Sequence, residues 1–360
     1  MMTYVFRHVL ALVVCLFCLG IGTAHGASIK IDATALTPQS FLFDYKGAWF
    51  STQVIGSHEL PAGPHALVTS HGAGGYHSTP FTVMSDGTVD YSSENDLILG
   101  GRGTDTLVVK GVVVRLDATA LSYQVVEIFG WRNPAPVIVL TVMPGVHALV
   151  APSGYAGYNY VVFKVNPNGS VDYEPAWDGV LEGRGTSTLV LKGRSITVNA
   201  RALSSGVIDV NGSVWRETCG VLNLNLIPGR HGINVPAAAY NYTLFTLKLE
   251  DGTIDYAPGM DHVLAGRGTA TLLVRGTVVF IDARGIKDAI ITVDGAAGMP
   301  TRHILPLVLM PGRHSIQRAA AGGGSSLSHF DVTDDGKVNY DSSADALFEG
   351  RNTNTLRLLE

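Results

Sequence analysis

The sequence predicts an all-β protein of four tandem repeats of about 83 residues, each an antiparallel, sandwich-like module. Three observations lead to this fold class. A Gly-Arg motif returns four times, and its arginines are 82, 83 and 84 residues apart. Every copy is rich in Val, Ile, Leu and Thr and is interrupted by turn dipeptides. No window shows the 3.6-residue apolar period of a capped helix.

The N-terminus has the pattern of a signal peptide over residues 1–26. Arg7 and His8 precede an apolar stretch, and small residues follow at Ala24 and Gly26. We therefore expect an exported protein that is secreted, periplasmic or held at the cell surface. Beyond this segment no apolar run reaches the roughly 20 residues of a membrane-spanning helix. One cysteine, Cys219, remains in the mature chain, and we expect a small buried side chain there.

The composition is that of a globular, mildly acidic chain. It has 30 acidic and 25 basic residues, a formal net charge of -5, and no basic run. This balance argues against nucleic acid as a partner. The 42 glycines follow no collagen period, so we expect them at turns.

The repeats contain the same segments in the same order. Each has an apolar strand ending in Asp-Ala, Asn-Ala or a close variant, a second apolar segment, and a Pro/Gly turn followed by histidine. An Asp-Gly or Asn-Gly hairpin signal and the Gly-Arg motif complete it. Six or seven strands fit in each copy, the density of a sandwich or barrel. The predicted boundaries are 28–110 for repeat 1, 111–192 for repeat 2, 193–275 for repeat 3 and 276–360 for repeat 4.

The joins between repeats place an apolar segment on either side of Lys-Gly or Arg-Gly, as in "VVKGVVV". We expect the two segments to form a hairpin, so that neighbouring repeats share strands. The first and last strands would then pair and close a compact array, which removes exposed sheet edges. A row of separate modules is the alternative.

The Gly-Arg motif of repeat 1, "GGRGTDTLV", matches the nonapeptide of calcium-binding β-helices. Such helices stack the nonapeptides directly, whereas this motif occurs once per repeat, and Asp105 is not retained in the other copies. Gly103 exchanges only with Asn352 among the four copies, which indicates a left-handed backbone. The motif therefore predicts a strained turn, and we expect no metal site and no cofactor.

Two sets of polar residues recur in every copy, and we predict structural roles for both. The first is an Asp six residues before the motif's arginine, which indicates a buried ion pair that is costly to break from one side. The second is the histidine, which we expect to bond its own turn because no second metal ligand lies at close spacing. The pairs are Asp96 with Arg102, Asp178 with Arg184, Asp261 with Arg267, and Asp345 with Arg351, and the histidines are His65, His147, His231 and His314.

Residues 289–316 resemble the PEGA modules of bacterial surface proteins. The shared features are an apolar strand ending "VDG", then a proline, and finally "LMPGRHSI". The resemblance covers less than half of a repeat. It implies small β modules at a cell surface and brings no catalytic residues.

Candidate binding residues lie where the copies share a position but differ in identity. Two predicted loops qualify, one after the second strand and one after the histidine strand. Their aromatic residues are Trp49, Trp131, Trp215, Tyr76, Tyr155, Tyr158 and Tyr240. Aromatic faces beside Asn and Ser suit sugar rings, and repetition adds avidity.

The sequence favours a multivalent binding module for a glycan or another cell-envelope polymer. Each tryptophan has a second interpretation, as an apolar plug over the open end of its own module. A structural surface spacer is the alternative function. A carbohydrate-active hydrolase is a third, because two carboxylates suffice for it, although none of the common catalytic motifs is present.

Overall fold

The structure is a computed structural model, and it confirms the all-β fold class. It describes residues 26–360 apart from 38–39, 45, 52–54, 71–75, 123–125, 129–130, 134, 154–155, 205–206, 212–213, 218–219, 237–239, 288, 296–298, 301 and 321–324. The predicted signal peptide and Cys219 lie outside these residues, except for Gly26. Within them, each repeat has nine strands and one turn of 3-10 helix.

The strands are numbered in chain order. Repeat 1 contains β1 (Ala27–Asp32), β2 (Ser40–Phe43), β3 (Lys46–Ser51), β4 (Gly56–Leu60), β5 (Gly63–Ser70), β6 (Tyr76–Val83), β7 (Val89–Asp90), β8 (Leu99–Gly100) and β9 (Thr106–Val109). Repeat 2 contains β10 (Val112–Asp117), β11 (Val126–Ile128), β12 (Trp131–Asn133), β13 (Val137–Val142), β14 (Gly145–Pro152), β15 (Tyr158–Val165), β16 (Val171–Asp172), β17 (Leu181–Glu182) and β18 (Thr188–Leu191).

The other two repeats have the same series. Repeat 3 contains β19 (Arg194–Asn199), β20 (Val207–Val210), β21 (Val214–Glu217), β22 (Val221–Leu226), β23 (Gly229–Pro236), β24 (Tyr240–Leu247), β25 (Ile254–Asp255), β26 (Leu264–Ala265) and β27 (Thr271–Val274). Repeat 4 contains β28 (Thr277–Asp282), β29 (Ala289–Val293), β30 (Met299–Pro300), β31 (Ile304–Leu309), β32 (Gly312–Ala320), β33 (Ser325–Val332), β34 (Val338–Asn339), β35 (Phe348–Glu349) and β36 (Thr355–Leu358). The 3-10 turns are Ser93–Asn95, Pro175–Trp177, Pro258–Met260 and Ser342–Ala344.

Each repeat folds into two sheets. In repeat 1 a four-stranded sheet has the order β4-β1-β9-β8, and a five-stranded sheet has the order β3-β2-β5-β6-β7; the other repeats follow with labels shifted by nine. The predicted hairpins are confirmed: β6 and β7 and their counterparts pair antiparallel, and the turn glycines have φ between 70° and 82°. The strands outnumber the prediction because several have only two residues.

The expectation that repeats share strands is wrong. Every sheet takes its strands from one repeat. The first strand of a repeat pairs in parallel with the last strand of the same repeat, as β1 does with β9, and the remaining pairs are antiparallel. The predicted pairing of the chain's first and last strands is also wrong, because β36 pairs with β28 and β35.

The join between repeats explains this pairing. At the first join, the amides of Lys110 and Gly111 both donate to the carbonyl of Ile98, which holds the end of β9 within repeat 1. Gly111 then takes φ of 63°, and β10 of the next repeat begins at the residue after it. The same bonds recur at the other joins, to Val180 and Val263. Lys-Gly therefore turns the chain between sheets; lysine is a poor first residue for a two-residue hairpin.

The core of each repeat lies between its two sheets. Along β15 buried and exposed residues alternate strictly, with Phe163 inward and Lys164 outward, as expected for a sheet with one face on a core. Four separate clusters of buried apolar side chains result, one per repeat.

Three of these cores are completed by a residue from the following repeat. Met143, at the turn after β13 of repeat 2, is fully buried in the cluster of repeat 1. Ile227 of repeat 3 belongs to the cluster of repeat 2, and Met310 of repeat 4 to that of repeat 3. We call these three residues the plug residues, and the turn that carries each one the plug turn.

Hydrogen bonds fix each junction in the same way. The amide of Thr37 donates to the carbonyl of Thr141, and the amide of Thr141 donates to the hydroxyl of Thr37, both at 2.8 Å. Equivalent pairs of bonds join Ser122 with Asn225 and Ser204 with Val308, at 2.7–3.1 Å. The three junctions thus have one common geometry.

Truncating a plug residue tests this coupling. Met143→Ala leaves a cavity in the core of repeat 1 and should lower the free energy of unfolding by about 2–4 kcal/mol. Met84→Ala is the matched control, because Met84 is exposed, and should change it by less than about 0.5 kcal/mol. Urea denaturation of both variants measures the difference, and equal effects would contradict the junction.

Candidate functional site

The Gly-Arg motif forms a tight turn on the hairpin. The amide of Gly103 donates to the carbonyl of Val89, and the amide of Val89 donates to the carbonyl of Thr104. Gly103 has φ of 77° and Asn352, its counterpart in repeat 4, has 64°, so the predicted left-handed backbone is confirmed. A Cβ at Gly101 would collide with the carbonyl of Thr106, which explains why every copy has glycine there.

The two glycines of the turn are therefore constrained differently, and substitutions in repeat 2 separate the constraints. In Gly183→Ala the new Cβ would collide with the carbonyl of Thr188, and the φ of 100° is one that alanine rarely adopts. The substitution should therefore lower the free energy of unfolding by about 2–4 kcal/mol. Gly185→Asn has open space around it and should cost less than about 1 kcal/mol.

Chemical denaturation of the two variants checks this contrast. The same loss in both would show that the carbonyl of Thr188 sets no steric limit.

The arginine of the motif joins a tyrosine and an aspartate in every repeat. Its guanidinium donates to the predicted aspartate at 2.5–2.8 Å and lies 4.5–4.8 Å from the centre of a tyrosine ring. In repeats 1–3 a second aspartate lies 3.5–3.6 Å away, and repeat 4 has Asn339 there. The rings belong to Tyr91, Tyr173, Tyr256 and Tyr340.

The expectation that these ion pairs are buried is wrong. The arginine side chains are 34–40% exposed and the aspartates 55–61%. Water screens ion pairs that are this exposed, so the attraction between carboxylate and guanidinium contributes little to the stability of the fold. The tyrosine ring, which is itself buried, supplies the larger contact for the flat guanidinium.

The histidines do hydrogen-bond their own turns. In each repeat Nε2–H donates at 2.6–2.9 Å to the carbonyl of the residue four positions earlier. In repeats 2–4 that residue is the plug residue, so the histidine holds the turn that enters the preceding core. The rings also pack on phenylalanines of the adjacent strand, with centroids 5.4–5.7 Å apart. No group of three potential metal ligands occurs among the described residues.

The second ring nitrogen has different partners in different repeats. Nδ1 of His314 lies 2.6 Å from a carboxylate oxygen of Asp294, and both side chains are buried. His65 faces Asp44 in the same way, at 2.8 Å. In repeat 3 the partner is an amide: Asn211 donates to Nδ1 of His231 at 2.9 Å. His231 therefore holds a neutral ring, and burial lowers its pKa from 6.5 to about 4.

This depressed pKa makes the stability of repeat 3 depend on pH. The unfolded chain binds a proton at His231 below pH 6.5, whereas the folded chain does so only near pH 4. Stability is thus fully present above pH 6.5 and is lost as the pH falls towards 4, by about 2 kcal/mol between pH 7 and pH 5. In His231→Gln this pH-dependent loss of stability should vanish.

An NMR titration of the imidazole together with urea denaturation at both pH values measures the effect. A ring of His231 that titrates near pH 6.5 would contradict it.

The tryptophan segments are edge strands, so their interpretation as loops is wrong. Trp49 lies in β3, Trp131 in β12 and Trp215 in β21, each at the edge of a five-stranded sheet. Trp131 pairs with Ile128, and Trp215 with Asp209. The positions of these three side chains, that of Tyr240 and the whole of Tyr155 lie outside the described residues.

The tyrosine positions coincide in the fold. Tyr76, Tyr158 and Tyr240 each begin the strand that carries the buried phenylalanine, five residues before Phe81, Phe163 and Phe245. Repeat 4 has Ser325 at this position. Tyr76 and Tyr158 belong to strand ends and are exposed.

Repeat 2 presents an exposed apolar surface on this strand. On β15 the side chains of Tyr158, Tyr160 and Val162 point outward and are 51%, 47% and 41% exposed. Val146 on the adjacent β14 is also exposed and pairs with Lys164. We call these five residues the β15 face. Exposed apolar groups rimmed by polar ones are typical of binding surfaces.

A groove of about 390 Å³ continues the β15 face. Val146, Val162 and Lys164 line one side, and Tyr173, Glu174 and Arg184 line the other. The guanidinium of Arg184 stays fixed on Tyr173 and Asp178, at 4.5 Å and 2.7 Å. Asp172 also lines the groove and lies 3.6 Å from Arg184, whereas Lys164 and Glu174 form no ion pair among the described residues.

Sequence reasoning found Tyr158 and missed Tyr160, Val162 and the groove. The signal was present in "YNYVVFKV", because a strand with Phe163 inward must place Tyr158, Tyr160 and Val162 on the opposite face. Trp177, the fourth tryptophan, was also missed; it is half-buried against the core of repeat 2, two residues from the groove.

Comparisons with known proteins add little. No known family model and no curated protein matches the chain. The pilus adhesin SpaC from Lactobacillus rhamnosus GG aligns with a TM-score of 0.18 at 11% identity over 94% of this chain, which spans 57% of that structure. The Bacteroides ovatus protein SGBP-B of a mixed-linkage glucan utilization locus, solved with a heptasaccharide, aligns with a TM-score of 0.11 at 10% identity, covering 79% of this chain and 86% of that one.

The described residues contain no helix of the length and apolarity needed to cross a membrane.

Proposed function

We propose that this chain is an exported binding protein of the cell surface that holds a glycan or another cell-envelope polymer on the β15 face of repeat 2. The observation that carries the proposal is the row of exposed Tyr158, Tyr160 and Val162 beside an open groove. Tyrosine rings offer flat apolar surfaces to the C–H faces of sugars. Lys164 and Glu174 supply a donor and an acceptor for hydroxyl groups at the end of the row.

Repetition supports a multivalent mode of binding. The tyrosine position of β15 recurs at Tyr76 and Tyr240 in the neighbouring repeats. Because the three junctions share one geometry, these positions are held at a repeating interval. A polymer with repeating units can contact several of them, and linked weak sites bind more tightly than any one of them alone. The resemblance of repeat 4 to PEGA modules fits a surface location.

A glycan array tests the proposal with the four-repeat chain, Ala27 to Glu360. Tyr158→Ala combined with Tyr160→Ala should weaken binding roughly five- to thirtyfold for each ring that contacts the ligand, the usual range for about 1–2 kcal/mol. Leu327→Ala is the matched control, because Leu327 is the exposed counterpart of Tyr160 in repeat 4. Circular dichroism confirms that all variants fold.

Three outcomes are informative. Loss of binding in the tyrosine variant alone supports the β15 face. Binding that survives there but disappears with Trp49→Ala, Trp131→Ala and Trp215→Ala assigns the site to the edge strands instead. No binding by the wild-type chain favours a structural spacer, a function that the three identical junctions also suit.

A further inference from the structure

Each junction has two halves, and both are visible at the internal junctions. One half is the plug turn of the following repeat. The other is a socket at the end of the preceding repeat, formed in repeat 3 by Leu203, Ile233, Leu264 and Val274, which share a cluster with Met310. Leu203 also reaches across the junction, since a Cβ on Gly276 would collide with it.

In repeat 4 no plug residue joins the corresponding socket within the described part of the chain. Ile286, Ile316, Phe348 and Leu358 are the counterparts of the four socket residues of repeat 3. They line a cavity of about 40 Å³ that opens to the surface, together with Arg318, Ser326 and Ser328. The guanidinium of Arg318 donates to the carbonyl of Leu359 at 3.4 Å. The four apolar residues can contact an apolar side chain as their counterparts in repeat 3 contact Met310.

The plug turn of repeat 1 meets no socket among the residues that the structure describes. Pro61 is the counterpart of the plug residues, and it is exposed. Its carbonyl accepts the bond from Nε2 of His65 at 2.8 Å, as in the buried plug turns, so the turn is already formed. Gly63 has open space within 4 Å, whereas a Cβ on Gly229, its counterpart in repeat 3, would collide with Asn159 of repeat 2.

The positions that hydrogen-bond at the internal junctions carry opposite charges at the two free surfaces. Thr37, Ser122 and Ser204 correspond to Lys287 in repeat 4, and Thr141, Asn225 and Val308 correspond to Glu59 in repeat 1. Lys287 and Glu59 are both exposed. Lysine cannot accept the bond that the hydroxyls accept, but its ammonium can donate to the carboxylate of Glu59. The charge pattern thus favours joining these two surfaces.

We propose that a second copy of this chain docks its plug turn of repeat 1 into the socket of repeat 4. Pro61 enters the cavity, the amide of Lys287 donates to the carbonyl of Glu59, and the two side chains form an ion pair. The contact buries two different surfaces, so it is heterologous and continues into a filament or closes into a ring of several chains. Binding faces on successive copies would then align along one polymer.

Sedimentation velocity of the four-repeat chain, from about 1 µM to about 200 µM, tests the proposal. We expect association that increases with concentration. Glu59→Lys and Lys287→Glu should each weaken it roughly tenfold, because each places like charges together. The double variant, with the pair reversed, should restore it. Pro61→Lys should abolish it, since it would bring an ammonium group beside the guanidinium of Arg318, which lines the cavity.

Two further arms make the test specific. A mixture of the two single variants should regain association, because both contacts between unlike variants pair opposite charges, whereas each variant alone pairs like charges. Glu182→Lys with Lys192→Glu reverses an exposed ion pair away from both surfaces and should leave association unchanged. A chain that stays monomeric at every concentration overturns the proposal, and so does association that Pro61→Lys leaves intact. Glycan binding by the monomer is measured separately on the β15 face, so either proposal can fail alone.

Discussion

The burial of a plug residue in the core of the preceding repeat is the contact on which the arrangement of this protein depends. Each repeat is a pair of small sheets of four and five strands. Met143, Ile227 and Met310 complete the cores of the preceding repeats. The recurring histidine belongs to the same device, since its Nε2–H holds the carbonyl of the plug residue in three repeats. Local pairing of β1-type and β9-type strands then closes each repeat on itself.

The residues that recur in every copy and the residues that vary between copies have different roles in this fold. The residues that recur in all copies serve turns, corners and junctions: the glycine beneath a carbonyl, the arginine on a tyrosine ring, the histidine at the plug turn. The outward positions of β15 and its counterparts bear none of these duties, so they are free to differ. In repeat 2 they are Tyr158, Tyr160 and Val162, whereas repeat 4 has Ser325, Leu327 and His329 there. Variation at a fixed position is what a series of binding sites on one scaffold requires.

Sequence reasoning reached the repeats, the all-β class and the hairpins because these follow from local turn chemistry and from comparing the copies. The exchange of Gly103 for Asn352 between copies was enough to predict a left-handed turn. Sequence reasoning failed where strand pairing depends on residues that are distant in sequence and close in space. Lys110-Gly111 has the length of a hairpin, yet its amides bond to Ile98 and send the next strand to another sheet.

The candidate site shows the same limit. Tyr158 was found because its position varies between copies, but the placement of Val146 beside Lys164 arises from strand register. The ion pairs were expected to be buried because they recur, and recurrence does not distinguish a buried pair from one seated on a tyrosine ring at the surface. The sequence does not show that the plug residues enter the preceding repeat, since an apolar residue before a Pro/Gly turn could equally well pack in the core of its own repeat.

Hydrogen exchange of the Ile227→Ala variant tests the plug contact most directly, because it reports which repeat loosens. Ile227 is part of repeat 3 in sequence but of the core of repeat 2 in the structure. We expect faster exchange of backbone amides in β14, β15 and β18 of repeat 2, with β24 and β27 of repeat 3 unchanged. Faster exchange confined to repeat 3 would show that each repeat completes its own core and would contradict the account.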